Sequence, residues 1–357
     1  MREGGFQIDK FIIAKSNTFT PTGVGPASSF AVPDNTDNTD NSGQSEDTNN
    51  SSVSDTTNWI EVNSSDGTTP VERHEAGMLA IENKLYLMGG RGNKPVSVYD
   101  AENNNWTNKA APPIELHHFQ PVNINGKAYI VGAMTGGYPN EDNVANIYIY
   151  DPISDQWSIG DSIPDDRRRG GAGAVLHNGK IYIVGGNTRG HNGGAVNWLD
   201  EYNPATGQWR TLPSAPTTRD HMEVAIVNNK LVVAGGRQST QPHVFQNTVA
   251  DVDVFDFDTN SWNAAASIPT PRAGTMTVAV GEEVIVIGGE VHSNNQALTD
   301  VQAYNVRNNA WRNLKPLLQG RHSGGAAIID GAIHVVSGNT SLGGGNETTH
   351  HEKLTID

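Results

Sequence analysis

The sequence predicts an all-β chain folded as a six-bladed propeller, and three observations carry that expectation. Trp59, Trp106, Trp157, Trp209, Trp262 and Trp311 recur at separations of 47, 51, 52, 53 and 49 residues. Six apolar runs end in a glycine pair or its near equivalent: residues 85–90 (LYLMGG), 128–133 (AYIVGA), 181–186 (IYIVGG), 231–236 (LVVAGG), 284–289 (VIVIGG) and 333–338 (IHVVSG). A tight polar turn such as Asn125-Gly126, Asn178-Gly179 or Asp330-Gly331 stands before each of these runs. Self-similarity at a period near 50 is the mark of a propeller, because one such unit cannot bury its apolar face without neighbours.

The elements of each blade follow in order. A short apolar run, the polar turn and the glycine-terminated run form a hairpin, strands a and b, since Asn-Gly and Asp-Gly accept the positive φ that a two-residue turn demands. A third run, strand c, ends in Tyr99-Asp100, Tyr150-Asp151, Tyr202-Asn203, Phe255-Asp256 and Tyr304-Asn305. The Trp then opens strand d, the outermost. The sixth block runs out before its Trp, and the orphan Trp59, in Asn58-Trp59-Ile60-Glu61-Val62, fits that vacancy. An N-terminal strand would then close the ring and remove two open sheet edges.

On these motifs residues 57–357 resemble the kelch-repeat family, with six matched copies. Residues 1–56 stand outside the repeat. Residues 34–56 are nearly all Asn, Asp, Ser and Thr and read as a flexible linker, because they hold too little apolar surface to offset ordering. Residues 1–33 read as a leader. Within it, residues 4–27 resemble the closing strands of a carbohydrate-binding β-sandwich of large secreted bacterial proteins, which would make the chain a C-terminal piece of a longer polypeptide.

Composition narrows the partners. Net charge is −15, spread over leader and propeller alike, which argues against duplex nucleic acid and anionic membranes. No run of 18 apolar residues exists, so membrane insertion is not expected. The chain has no cysteine, which removes disulfides, thiol nucleophiles and Cys-zinc sites. Secretion would depend on sequence upstream, and an extracellular or periplasmic setting and a monomeric state are the expectation.

Strand a begins on the face where strand b ends, so the a-start residues and the loops after the glycine pairs share one rim. Sixteen residues before each glycine pair stand Arg73, Leu116, Arg169, Arg219, Arg272 and Arg321, and most of the twelve His lie on the same rim. The family resemblance implies two roles here. The recurrent Arg commonly bonds backbone carbonyls or a neighbouring blade, and the second residue after it lines the channel mouth, which selects Glu75, His118, His221 and Ser323. Arg91, Arg237 and Glu290 follow the glycine pairs and join that set. Arginine's planar fork suits an anionic or polyhydroxyl ligand. Tyr138, Trp198 and Phe245 lie in the long b–c loops, where aromatic faces offer stacking surface; Trp198 either presents such a face or packs inward at the start of strand c.

Catalytic patterns are poor. Galactose oxidase shares the repeat but needs a Cys linked to a Tyr; the nitrile-specifier proteins hold iron with Glu, Asp and His at four-residue spacings that this chain lacks. The bacterial sialic acid mutarotase is six-bladed too, and Glu75 or Glu290 with Arg237 match its acidic and Arg site only loosely. His117, His118 and His221 are metal-ligand types, yet sequence does not bring their nitrogens together, so no metal and no cofactor is assigned and catalytic residues are left open. The reading is a recognition module for a glycan or a protein, using Glu75, Arg91, His118, Trp198, His221, Arg237, Glu290 and Ser323. The alternatives are a sugar epimerase or mutarotase, with a carboxylate and a His as acid and base, and a structural domain of a multidomain secreted protein.

Overall fold

A computed structural model describes residues 51–357; the leader and most of the polar linker read from the sequence lie outside the described residues. Six four-stranded antiparallel sheets are arranged as blades, the first built from Ala76–Ile81, Lys84–Gly89, Val96–Asp100 and Asn105–Lys109. Blades two to five repeat this a-b-c-d order, and the a strands lie innermost, where neighbouring ones pack against each other. The Asn-Gly turns behave as their chemistry requires: Asn125 and Gly126 take φ of 50° and 77°, and Asn178 and Gly179 take 48° and 71°. Both central residues are left-handed, the twist that a two-residue hairpin needs.

Blade six consists of Gly325–Ile329, Ala332–Val336, His351–Thr355 and, from the other end of the described chain, Ile60–Glu61. Ile60 pairs with Lys353 and Glu61 with Glu352. The ring is therefore closed by the N-terminal strand. Packing starts earlier than Trp59: Val53 is buried, and Ser52 exchanges two backbone hydrogen bonds with Asp357.

The recurring Trp has a double task. Each one packs on the aromatic residue of strand c, with ring centroids 4.8–5.2 Å apart for Trp106, Trp157, Trp209, Trp262 and Trp311. Several also donate the indole N–H to the preceding blade: Trp157 to the Ala110 carbonyl, Trp262 to Pro213 and Trp311 to Ala266. Trp59 does the same toward Lys315 at 2.9 Å, so it occupies the sixth Trp position in function as well as in place.

The recurrent Arg residues are structural. Arg73, Arg169, Arg219 and Arg272 each donate to the carbonyl sixteen residues on, that of Gly89, Gly185, Gly235 and Gly288, at 2.6–3.0 Å. All four, with Arg321, are fully buried. A buried guanidinium is stable only when its donors are met, and the carbonyls at the end of strand b meet them.

Candidate functional site

Six a-start residues form the mouth of the central channel: Glu75, His118, Gly171, His221, Gly274 and Ser323, all left-handed with φ between 51° and 63°. A backbone hydrogen bond passes around the ring from one to the next, His118 N to Glu75 O, Gly171 N to His118 O, His221 N to Gly171 O, Gly274 N to His221 O and Ser323 N to Gly274 O, at 2.7–2.9 Å. Ala76 N closes it on Ser323 O. This geometry is cheap for the two glycines and costs about 1 kcal/mol or more for a residue with a Cβ. Four blades nonetheless carry a side chain there, and three of these are ionisable.

Above the mouth lies a cavity of about 680 Å³, bordered by His74, Glu75, Arg91, Glu115, Tyr138, His191, Arg237, Phe245, Glu290 and glycines of the 136–137 and 343–345 loops. A constriction of about 40 Å³, lined among others by His118, His221, Glu223 and Ser323, continues below it into the channel. The larger depression of about 1160 Å³ is on the opposite face, against hairpin turns such as Asn125-Gly126.

Charges in the cavity come in pairs. Arg91 bridges Glu75 Oε2 and Glu141 Oε1, both at 2.6 Å. Arg237 is held by Glu290 and by the Ser239 hydroxyl, and Glu290 also accepts from Gly343 N of the glycine-rich loop. Asp220 accepts from the Ser239 N–H and hydroxyl and from His221. His74 faces Glu347 at 2.6 Å. Burial pushes the Glu75 carboxyl up, but His118, His74 and Arg91 outweigh it and hold it well below the usual carboxylate range. The same opposition holds Asp220 and Glu290 low, through His221 for the one and His322 and Arg237 for the other. Burial drives His118 well below the ordinary imidazole value and, with the charge of Arg237, takes His221 down to about 4. These imidazoles are therefore neutral at pH 7, and the carboxylates are charged.

Seven of the eight residues expected from the sequence line the cavity or the constriction beneath it: Glu75, Arg91, Arg237 and Glu290 above, His118, His221 and Ser323 below. Trp198 does not. The Arg167 guanidinium lies 4.1 Å over its ring, Arg169 approaches as well, and Tyr138 and Phe245 supply the aromatic surface instead. Two further residues join them: Glu141, which the sequence did not single out, and His191, read only as one of the His on this rim. Glu141 and His191 sit in b–c loops, outside the repeat register, and come together with His191 Nδ1 2.7 Å from Glu141 Oε1. No periodic signal marks them.

A ring of six four-stranded blades with one polar rim cavity defines a closed kelch-type propeller. Family comparison agrees: the model of the KLHDC2/KLHL20/DRC7 kelch-repeats domain matches residues 117–338, and the chain belongs to the kelch-repeat family. The chain is 26% identical over 291 residues to Kelch-like protein terF of Aspergillus terreus, covering 77% of this chain and 62% of that protein. It is 22% identical over 259 residues to Kelch-like protein 38 of Mus musculus, covering 71% and 42%. It thus spans less than two thirds of the curated relatives it matches. The solved structure titled "Structure of YjhT" superposes with a TM-score of 0.67 at 19% identity, covering 81% of this chain and 94% of that one, and shows the fold. Kelch domains generally serve as protein-interaction modules. Among the described residues no helix is long and apolar enough to cross a membrane.

Proposed function

We propose that the rim cavity recognises a polyhydroxyl ligand, a terminal sugar of a glycan, with the propeller acting as a monomeric recognition module. One observation carries the reading. The cavity combines ion-paired donors and acceptors, Arg91 with Glu75 and Glu141 and Arg237 with Glu290, with the ring faces of Tyr138 and Phe245. Guanidiniums already matched by carboxylates offer directional hydrogen bonds without net positive charge, which suits hydroxyls better than a free anion. Tyr138 is 54% exposed in this otherwise buried setting, and an exposed ring offers a face for the apolar side of a sugar.

The test is a glycan array followed by calorimetry. Phe245→Ala and Arg237→Ala should each weaken a captured glycan at least about fivefold, roughly 1 kcal/mol, whereas Trp198→Ala should leave it unchanged. Capture of a protein in place of any glycan, with the same two variants impaired, would make the rim a protein-binding surface. Binding that only Trp198→Ala disturbs would refute the cavity assignment. The close approach of His118 Nε2 to Glu75 Oε1, 2.8 Å, favours a second reading as an epimerase or mutarotase. Accelerated exchange between the anomers of the captured sugar, followed by NMR and lost in Glu75→Gln, would establish it.

A further inference from the structure

Three imidazoles meet at the floor of the cavity. His118, His191 and His221 are mutually edge to face, with ring centroids 4.6–5.2 Å apart, and the Nε2 atoms of His191 and His221 are 3.2 Å apart. The far nitrogen of each ring is committed elsewhere, and for His191 and His221 a carboxylate fixes the tautomer. His191 Nδ1 donates to Glu141, which accepts from the His191 backbone N–H as well. His221 Nδ1 donates to Asp220, itself anchored by Ser239. For His118 the chain is one link longer. His118 Nδ1 lies 2.6 Å from His117 Nδ1, and His117 Nε2 lies 3.1 Å from the Gly136 carbonyl.

The Nε2 atoms of His191 and His221 therefore carry lone pairs, and they face each other, His118 Nε2 and the Glu75 carboxylate. Arg237 points an N–H at His191 Nε2 from 3.4 Å, as befits an acceptor there. His118 Nε2 is buried and lies 2.8 Å from Glu75 Oε1. Lone pairs packed this way repel unless a cation stands among them. The surrounding charge asks for the same thing: Glu75, Glu141, Asp220 and Glu290 against Arg91 and Arg237 leave two negative charges in excess.

We propose that Glu75, His118, His191 and His221 form a divalent-metal site of the zinc class. One donor atom from each of the four lies within 4.8 Å of the others. Tetrahedral zinc with ligands at about 2.0–2.1 Å sets ligand edges of about 3.3 Å, so shifts of under about 1 Å close the shell. Three imidazoles and one carboxylate suit zinc and its borderline neighbours rather than calcium or magnesium. The contacts of His191 to Glu141 and of His221 to Asp220 are the carboxylate–histidine pairing that orients metal-bound imidazoles and raises their basicity. The left-handed backbone common to all six a-start positions places Glu75, His118 and His221 around one point. The site opens on the cavity through Glu75 and His191, and it stands whether or not a glycan enters.

The experiment uses the full chain, tag removed and dialysed against a chelator, titrated with zinc alone by calorimetry and with cobalt(II) by visible absorption. One equivalent should bind, with four-coordinate d–d bands for cobalt. His191→Asn and Glu75→Gln, each checked by circular dichroism, should lose at least about thirtyfold in affinity. His191 lies in a loop and Glu75→Gln preserves shape, so whichever variant folds decides the matter. Absence of a stoichiometric site in the wild type, octahedral cobalt spectra, or unchanged affinity in a folded variant would each overturn the proposal.

Discussion

Replacing Arg272 by Met should cost stability and leave the cavity untouched. The Arg272 guanidinium donates to Gly288 O, Thr270 O, Val286 O and Gln302 Oε1, at 2.6–2.9 Å, and its side chain is wholly buried. Each acceptor left unpaired costs about 1–3 kcal/mol, so four at a middling value lose about 6–8 kcal/mol. Part of this returns. Burial has lowered the guanidinium from 12.5 to about 10, a strain of about 3 kcal/mol that an apolar side chain does not suffer. The net loss is about 3–5 kcal/mol, or a fall in Tm of about 5–8 °C for a domain of about 300 residues. Calorimetric melting and urea titration measure it. Arg307→Met is the control: Arg307 pairs with Glu282 at the surface and is 71% exposed, so its loss should stay within about 0.5 kcal/mol. A loss below about 1 kcal/mol for Arg272→Met, or weakened binding in the cavity without a change in melting, would refute the structural role.

The ring closure is tested by Trp59→Ala, which should cost about 3–5 kcal/mol because the indole is buried and bonded to Lys315 O, and by Val53→Ala, about 1–2 kcal/mol; urea unfolding of both separates them from a dispensable tail. Gly185→Ala should destabilise by at least about 2 kcal/mol, since the backbone has φ of 65° and the new Cβ would stand 2.7 Å from the Arg219 carbonyl oxygen; a melt within about 1 °C of wild type would count against this close approach. Acid should weaken blade six. Burial, with Lys353 nearby, takes His334 from 6.5 down to about 3, so its contribution is present above pH 6.5 and is lost as pH falls through 6.5 toward 3. About 2–3 kcal/mol should go by pH 4, and His334→Gln should flatten that part of the pH profile; an unaltered slope would remove His334 from the explanation.

The fold was legible because each blade repeats the same local instructions. Asn-Gly can only turn, the strand-c aromatic can only shield its Trp on the apolar side, and the missing sixth Trp is visible by counting. The channel mouth was legible through the family resemblance, which implied that the second residue after the register Arg lines it and so selected Glu75, His118, His221 and Ser323. What counting could not supply was the partner of each charge. Arg73, Arg169, Arg219 and Arg272 bond carbonyls as the family resemblance implied, whereas Arg91 and Arg237, read as donors for an anionic or polyhydroxyl ligand, are matched by Glu75, Glu141 and Glu290.

Trp198 lay outside the Trp register, and its place there left an offered ring face and inward packing both open; Arg167, two residues before a register Arg, lies over the ring while pairing with Asp200. Glu141 and His191 show the converse. They lie in loops of unequal length, where no period constrains position, and only the closed ring brings blade two's Glu141 against blade three's His191 and both against the mouth residues. A propeller thus separates its two kinds of information. The repeat builds a ring whose inner edge is set by register, and the irregular loops, free of the repeat, complete the chemistry at that edge.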